Sequence, residues 1–269
     1  ESQNLSYQIN EALKEKYIAD VLSASHPHKL MFHTGDPKMY PKMLKGKKIV
    51  SARGHGMFVD IGCEDETWIT ISDGTNIRYV QSDQQKPDKY QLLIVFDDRS
   101  FVPFSIAMYG GLWIYTGTLD NSYHTGSFAS RSPLDDKFDE SYFNSILDGL
   151  TKDLSLKAFL ATEQRFPGIG NGVLQDILFN AGLHPKKKIS TLSDFQKGEL
   201  FHSIKTTLNK MTNQGGRDTE KDLFGNFGGY KTLLSKKSVK DPCPVCGGEI
   251  IKEQFMGGAI YFCPVCQVK

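Results

Sequence analysis

Phe166-Pro-Gly-Ile-Gly-Asn-Gly-Val-Leu-Gln-Asp-Ile-Leu-Phe-Asn-Ala-Gly-Leu-His-Pro185 is the stretch from which the architecture of this chain is read. Pro-Gly-Ile-Gly-Asn makes a tight two-turn connector between helices, and its glycines let backbone N–H groups approach a phosphate. Asn171 starts the following helix, predicted over 171–180, and offers a side-chain amide. Gly182 and Pro185 stop that helix. Gly170 and Asn171 are therefore candidate phosphate contacts, although a bare helix–helix corner would use the same residues.

Four of the five cysteines fall in the last 27 residues, as Cys243-Pro-Val-Cys246 and Cys263-Pro-Val-Cys266. Two C-x-x-C knuckles sixteen residues apart match a four-thiolate zinc ribbon. The β-prone runs between them predict a hairpin turning at Gly257-Gly258. Four thiolates fill a tetrahedral site, so the expectation is one structural zinc ion on Cys243, Cys246, Cys263 and Cys266. Cys63 stands alone in a strand-like segment and reads as a buried core thiol.

Upstream, Leu5, Ile9 and Leu13 sit at helical spacing within 1–16. Short β-rich runs follow over 17–120, punctuated by turn signals such as Asp73-Gly74, with a short helix from Pro37 to Leu44. The polar stretch 130–143 reads as a linker, and helices are expected at 142–150, 156–164, 171–180, 192–198 and 199–211. The fold class is thus α+β and multidomain: an N-terminal helix with an antiparallel β-sandwich over 1–130, a helical domain over 131–235, and a four-cysteine finger over 236–269.

The 269 residues carry 39% hydrophobic and 23% charged side chains, ordinary globular values that exclude a disordered or low-complexity protein. No apolar run approaches the roughly 18–20 residues needed to cross a bilayer, and no basic-then-apolar leader is visible, so an intracellular protein without membrane attachment is expected. The net charge of +1 hides an asymmetry. From Thr151 onward there are 17 Lys/Arg against 11 Asp/Glu, and before it 15 against 20. A basic second half points to a polyanionic partner.

Taken together, the connector at Phe166–Pro185, the finger with trailing Gln267, and the strand–turn–strand Gly46–Val59 resemble the formamidopyrimidine-DNA glycosylase and endonuclease VIII family. Gly215-Gly-Arg-Asp-Thr-Glu-Lys-Asp-Leu-Phe-Gly225 occupies the place of the family's glycine-rich loop before the finger. The resemblance spans nearly the whole chain and diverges at several positions. It implies a DNA repair glycosylase that binds damaged or abasic duplex DNA, flips the lesion from the stack and excises the base, acting as a nucleoid-associated monomer. It also implies Schiff-base chemistry at an N-terminal proline, which would lie ahead of Glu1; the catalytic residues of this chain and any strand nicking are left open. The alternative is a non-catalytic lesion-binding relative that retains the DNA clamp.

The departures from the family pattern set the remaining site expectations. Where the family carries a lysine, this chain has His55 in Arg53-Gly54-His55, a candidate phosphate or substrate contact. The finger arginine of the family is replaced by Gly258. The void-filling loop appears as Ser105-Ile-Ala-Met-Tyr-Gly110, making Met108 and Tyr109 candidate wedges. Arg217 and Lys221, flanking the glycine-rich loop, are candidate DNA or base contacts.

Overall fold

The computed structural model describes residues 1–269, which divide into two compact units: Glu1–Thr125 with Glu220–Phe227, and Gly126–Thr219 with Gly228–Lys269. Segment 220–227, grouped by sequence with the helical part, thus packs in the first unit. The anchor is Leu223, fully buried: its N–H donates to Gln8 Oε1 (3.0 Å) and its carbonyl accepts from Tyr79 N (2.7 Å).

The first unit opens with helix α1 (Ser2–Leu13). Strands β1 (Ile18–Ser23) and β2 (Met31–Phe32) follow, then a 3₁₀ turn at Pro37–Met39 and helix α2 (Tyr40–Leu44), which together form the short helix expected there. Strands β3 (Ile49–His55), β4 (Phe58–Cys63), β5 (Thr67–Ile71), β6 (Thr75–Ile77), β7 (Leu92–Phe96), β8 (Phe101–Ile106) and β9 (Gly110–Thr116) complete two sheets. One runs β1-β7-β8-β6 and the other β2-β9-β5-β4-β3. All pairings are antiparallel except the two-residue contact of β2 with β9. Ile9 and Leu13 of α1 join Ile18, Ile61, Ile69, Ile94, Phe104 and Ile114 in one core shared by both sheets. Cys63 lies in it, and burial pushes its thiol up to about 12, as befits a packing residue.

Strand alternation gives β4 two distinct faces. Val59, Ile61 and Cys63 enter the shared core, while Phe58 joins Trp113, Tyr115 and Leu119 in a separate cluster. Asp60 lies on that second face, and the register sets Arg53, Asp60, Thr70 and Trp113 in a row across β3, β4, β5 and β9. Helix α3 (Ser122–Ala129) contributes His124, whose ring meets Phe58 edge-on at 5.2 Å.

The second unit contains α4 (Glu140–Asp148), α5 (Leu156–Ala161), α6 (Asn171–Asn180) and α7 (Asp194–Asn213). Two expectations need correction here. Residues 130–143 are not simply a linker, since Phe138 and Phe143 are fully buried in the helical core. The helices expected at 192–198 and 199–211 are one continuous α7. A capping box of Ser193 with Gln196 starts it, and buried Leu200, Ile204, Leu208 and Met211 hold it along its length. That apolar stripe outweighs the roughly 1 kcal/mol that Gly198 costs within a helix.

The finger hairpin is β10 (Ile251–Phe255) with β11 (Gly258–Phe262). Its turn is Met256-Gly257, both at positive φ (50° and 72°), one residue before the expected Gly257-Gly258. A two-residue turn with both φ positive matches the twist of the strands, whereas Gly258 already pairs with Phe255. No helix is long and apolar enough to cross a membrane.

Candidate functional site

Asn171 is the first residue of α6, but the N-cap is Gly170, held extended at φ −94° and ψ 179°. The Asn171 amide is turned instead toward the finger, where Nδ2 donates to the carbonyl of Ala259 at 3.0 Å. Gln175, one turn along, donates to the same carbonyl at 3.2 Å and accepts from Tyr261 N at 3.0 Å. Side chains of α6 therefore fix the position of β11.

Arg217 reaches the same helix start. A Cβ at Gly172 would sit 2.1 Å from Arg217 Nη1, so the missing side chain makes room for the guanidinium. Gly170, Asn171 and Arg217, three of the sequence candidates, thus meet at the first turn of α6, where helical N–H groups and the helix dipole favour an anion. Lys221 instead lies in the first unit, with its ammonium over the Phe227 ring at 5.2 Å.

Lys157 of α5 was missed by the sequence reading. Only 5% exposed, it donates from Nζ to the carbonyls of Phe255 and Gly258 on either side of the finger turn. A Cβ at Gly258 would lie 3.4 Å from both Lys157 Nζ and the Asn171 amide. A cation is therefore present at the finger turn, supplied by α5 rather than by residue 258. The only sequence signal was a lysine in an otherwise apolar helical turn, Leu156-Lys-Ala-Phe-Leu160.

The four finger cysteines are brought together. Cys243 and Cys266 Sγ are 3.8 Å apart, Cys246 and Cys263 Sγ 3.5 Å, and all four sulfurs lie within 4.8 Å of one another. A tetrahedral zinc with sulfur bonds near 2.3 Å separates its ligand sulfurs by about 3.8 Å. Desolvation, then the neighbouring thiols Cys246, Cys243 and Cys263, push Cys266 up to about 12. Thiols so crowded need a cation before they can all ionise, so the cluster suits a metal ion. Gln267 locks the second knuckle: buried to 1%, it accepts from Cys263 N at 3.0 Å and donates to Leu183 O at 2.9 Å.

In the first unit Met108 and Tyr109 form the tip between β8 and β9, exposed by 73% and 51%. Gly74, at φ 85°, presses against this tip, since a Cβ there would meet Tyr109 O at 1.9 Å. Exposed Leu30 and Phe32 flank the Met31–Gly110 pairing beside it, making an apolar rim.

His55 is no simple surface turn residue. Its Nε2 is 3.0 Å from Asp60 Oδ2. Asp60, fully buried, also takes His124 Nε2 at 2.9 Å and Thr70 Oγ1 at 2.7 Å on Oδ1, and Arg53 Nε at 3.1 Å on Oδ2. Burial alone would raise the Asp60 carboxyl. The hydrogen bonds from His124, His55 and Thr70 win, and hold it well below the usual carboxylate range. Asp60 and His124 were not singled out from sequence; the one available signal was an aspartate inside the apolar run Met57-Phe-Val-Asp-Ile61.

No family model matches the sequence. Individual relatives do. The formamidopyrimidine-DNA glycosylase of Histophilus somni is 32% identical over 199 residues, 72% of each chain. That of Haemophilus influenzae is 30% identical over 229 residues, 83% of each chain. The fold is similar to that of Lactococcus lactis Fpg, crystallised with DNA containing an abasic site, at a TM-score of 0.81 and 21% identity over 99% of this chain and 97% of that one. With helix, paired sheets, helical connector and cysteine finger all in the expected order, the chain belongs to the formamidopyrimidine-DNA glycosylase family.

Proposed function

We propose that this protein is a base-excision DNA glycosylase that binds damaged or abasic duplex DNA, flips the altered nucleotide and removes its base. The supporting observation is the meeting of Gly170, Asn171 and Arg217 at one helix start, within a chain 32% identical to a named glycosylase. In this reading the Gly170 backbone, the Asn171 amide and Arg217 hold a phosphate, while Met108 and Tyr109 fill the gap left by the flipped base. His55 faces the lesion nucleotide. Residues 236–269 form the finger module, with one zinc ion bound by Cys243, Cys246, Cys263 and Cys266. The ion supplies folding energy to a hairpin too small to stand alone.

The start of α1 rests on the β3–β4 turn: Ser2 Oγ donates to Gly56 O at 2.9 Å, and a Cβ at Gly54 would sit 2.2 Å from Ser2 O. That contact sets the head of α1 beside the turn that carries His55.

The test uses a duplex carrying a formamidopyrimidine base. Base release should appear under single-turnover conditions, and affinity should fall steeply with salt as phosphate contacts release counterions. Borohydride reports separately on Schiff-base chemistry, because only that intermediate is trapped as a covalent protein–DNA adduct. Tight binding with no base release would select the non-catalytic relative instead; binding indifferent to salt would refute the phosphate contacts.

A further inference from the structure

Lysine is almost never buried without an acidic partner. Lys157 on α5 is 5% exposed, yet its Nζ donates to two main-chain carbonyls, those of Phe255 and Gly258. Desolvation lowers its pKa, and no carboxylate acts to offset that loss. The acid on the adjoining strand is already taken. Glu253 of β10 pairs with Lys186, whose ammonium lies 5.5 Å from the Phe255 ring. A buried cation without a counter-charge is costly, and the fold places one at the tip of the finger.

That tip is pinned by α5 and α6. Ser155, the N-cap of α5, donates from Oγ to Met256 Sδ at 3.6 Å. Lys157 holds Phe255 and Gly258, and Asn171 holds Ala259 at 3.0 Å. Met256 is kept in the left-handed region at φ 50°, which a residue other than glycine rarely adopts. The two polar side chains retain unused donors. An ammonium has three N–H groups and Lys157 has placed two; a side-chain amide has two and Asn171 has placed one. Both nitrogens lie 3.4 Å from the point where a Cβ at Gly258 would stand, and no atom beyond Gly258 and its chain neighbours comes closer. Gly258 is half-buried and Asn171 exposed, so the space above Gly258 opens toward solvent.

We propose that Lys157 is a DNA-backbone contact: a phosphate oxygen enters above Gly258 and takes the remaining N–H of the ammonium and of the Asn171 amide. The phosphate then supplies the counter-charge that the fold lacks. The proposal rests on the glycosylase reading above and adds a cation to the phosphate site at the start of α6. The bare Cα of Gly258 is part of the site, because an apolar side chain there would stand between the ammonium and the phosphate.

The test measures affinity for a duplex carrying an abasic analogue over a series of salt concentrations, with zinc affinity measured beside it. Lys157→Met should weaken binding at low salt by about tenfold or more and lower the slope of log affinity against log salt by about one. Zinc affinity should stay within about threefold, as it would not if the lysine merely held the finger together. Gly258→Leu, which covers the ammonium without removing it, should give the same loss, and the double variant should lose no more than either alone. Gly258→Arg should restore the slope in the Lys157→Met background and leave it unchanged in the wild type. A wild-type slope in Lys157→Met would overturn the proposal alone, as would DNA and zinc affinity falling together at an unchanged slope. An equal gain from Gly258→Arg in both backgrounds would overturn it too. If Lys157→Met fails to fold, Gly258→Leu on the exposed turn decides the matter by the same slope. A wild-type protein that does not bind the duplex would sink the glycosylase reading and this proposal with it.

Discussion

Gln267→Ala removes a side chain that touches no sulfur yet should loosen the metal. Gln267 bridges the second cysteine knuckle to the chain after α6, accepting from Cys263 N at 3.0 Å and donating to Leu183 O at 2.9 Å. The side chain is 1% exposed, so water does not readily replace either partner. Each buried group left unpaired costs about 1–3 kcal/mol, and with partial relaxation the pair together should cost about 2–4 kcal/mol. Binding of the ion and folding of the hairpin are one process, so the loss should pass into metal affinity. At about 1.4 kcal/mol per decade, zinc affinity should drop about 30- to 700-fold. Competition with a chromophoric chelator measures this directly, and far-UV circular dichroism should show the helices and the β-rich unit intact. An affinity within twofold of wild type would refute the reasoning, because Leu183 and Cys263 would then have found other partners.

Three further outcomes follow from individual contacts. Gly172→Ala should displace Arg217, whose Nη1 lies 2.1 Å from the new methyl position, and lower the slope of log affinity against log salt by about one; an unchanged slope would mean that Arg217 meets no phosphate. Cys243→Ser should abolish metal binding and weaken duplex binding while the first unit, with its own core, still melts cooperatively; full-strength binding by the variant would separate the finger from DNA. Asp60 has a folded pKa below its unfolded value of 3.8, so its contribution is present above that pH and is lost as the pH falls below it. Urea titrations between pH 7 and pH 2.5 should accordingly show a steeper acid loss for wild type than for Asp60→Asn; parallel curves would contradict the hydrogen-bonded carboxylate.

What could be read from the sequence was local. A proline–glycine connector, a capped helix and two C-x-x-C knuckles are set by neighbours in the chain, and the 171–180 helix and the four-sulfur cluster stand where spacing put them. The errors occurred where tertiary packing overrides local signals. Gly198 looked like a break, but the buried stripe of α7 carries the helix through it. Leu223, grouped by its position with the helical domain, packs in the first unit because Gln8 and Tyr79 bind its backbone across 215 and 144 positions. Asn171 reads from sequence as a phosphate contact at a helix start, and nothing local signals that its amide also donates to Ala259 across 88 residues.

The histidine cluster sharpens this point. Asp60 and His124 are 64 positions apart, and neither carries a motif. What joins them is register: pairing Arg53 with Asp60 and Asp60 with Thr70 lines three polar side chains across one sheet face, and α3 then lays His124 onto the middle one. Strand alternation does mark Asp60 as the odd residue, because a charged side chain in an apolar strand must either face water or find partners. Asp60 is fully buried and has four donors, so the sheet has taken the second course at the turn where α1 begins. His55 alone, read from sequence, is an isolated histidine in a turn. Set against a buried carboxylate and a second imidazole, the same residue has its ring held at Nε2 by Asp60 and packed edge-on against His124 at 4.9 Å.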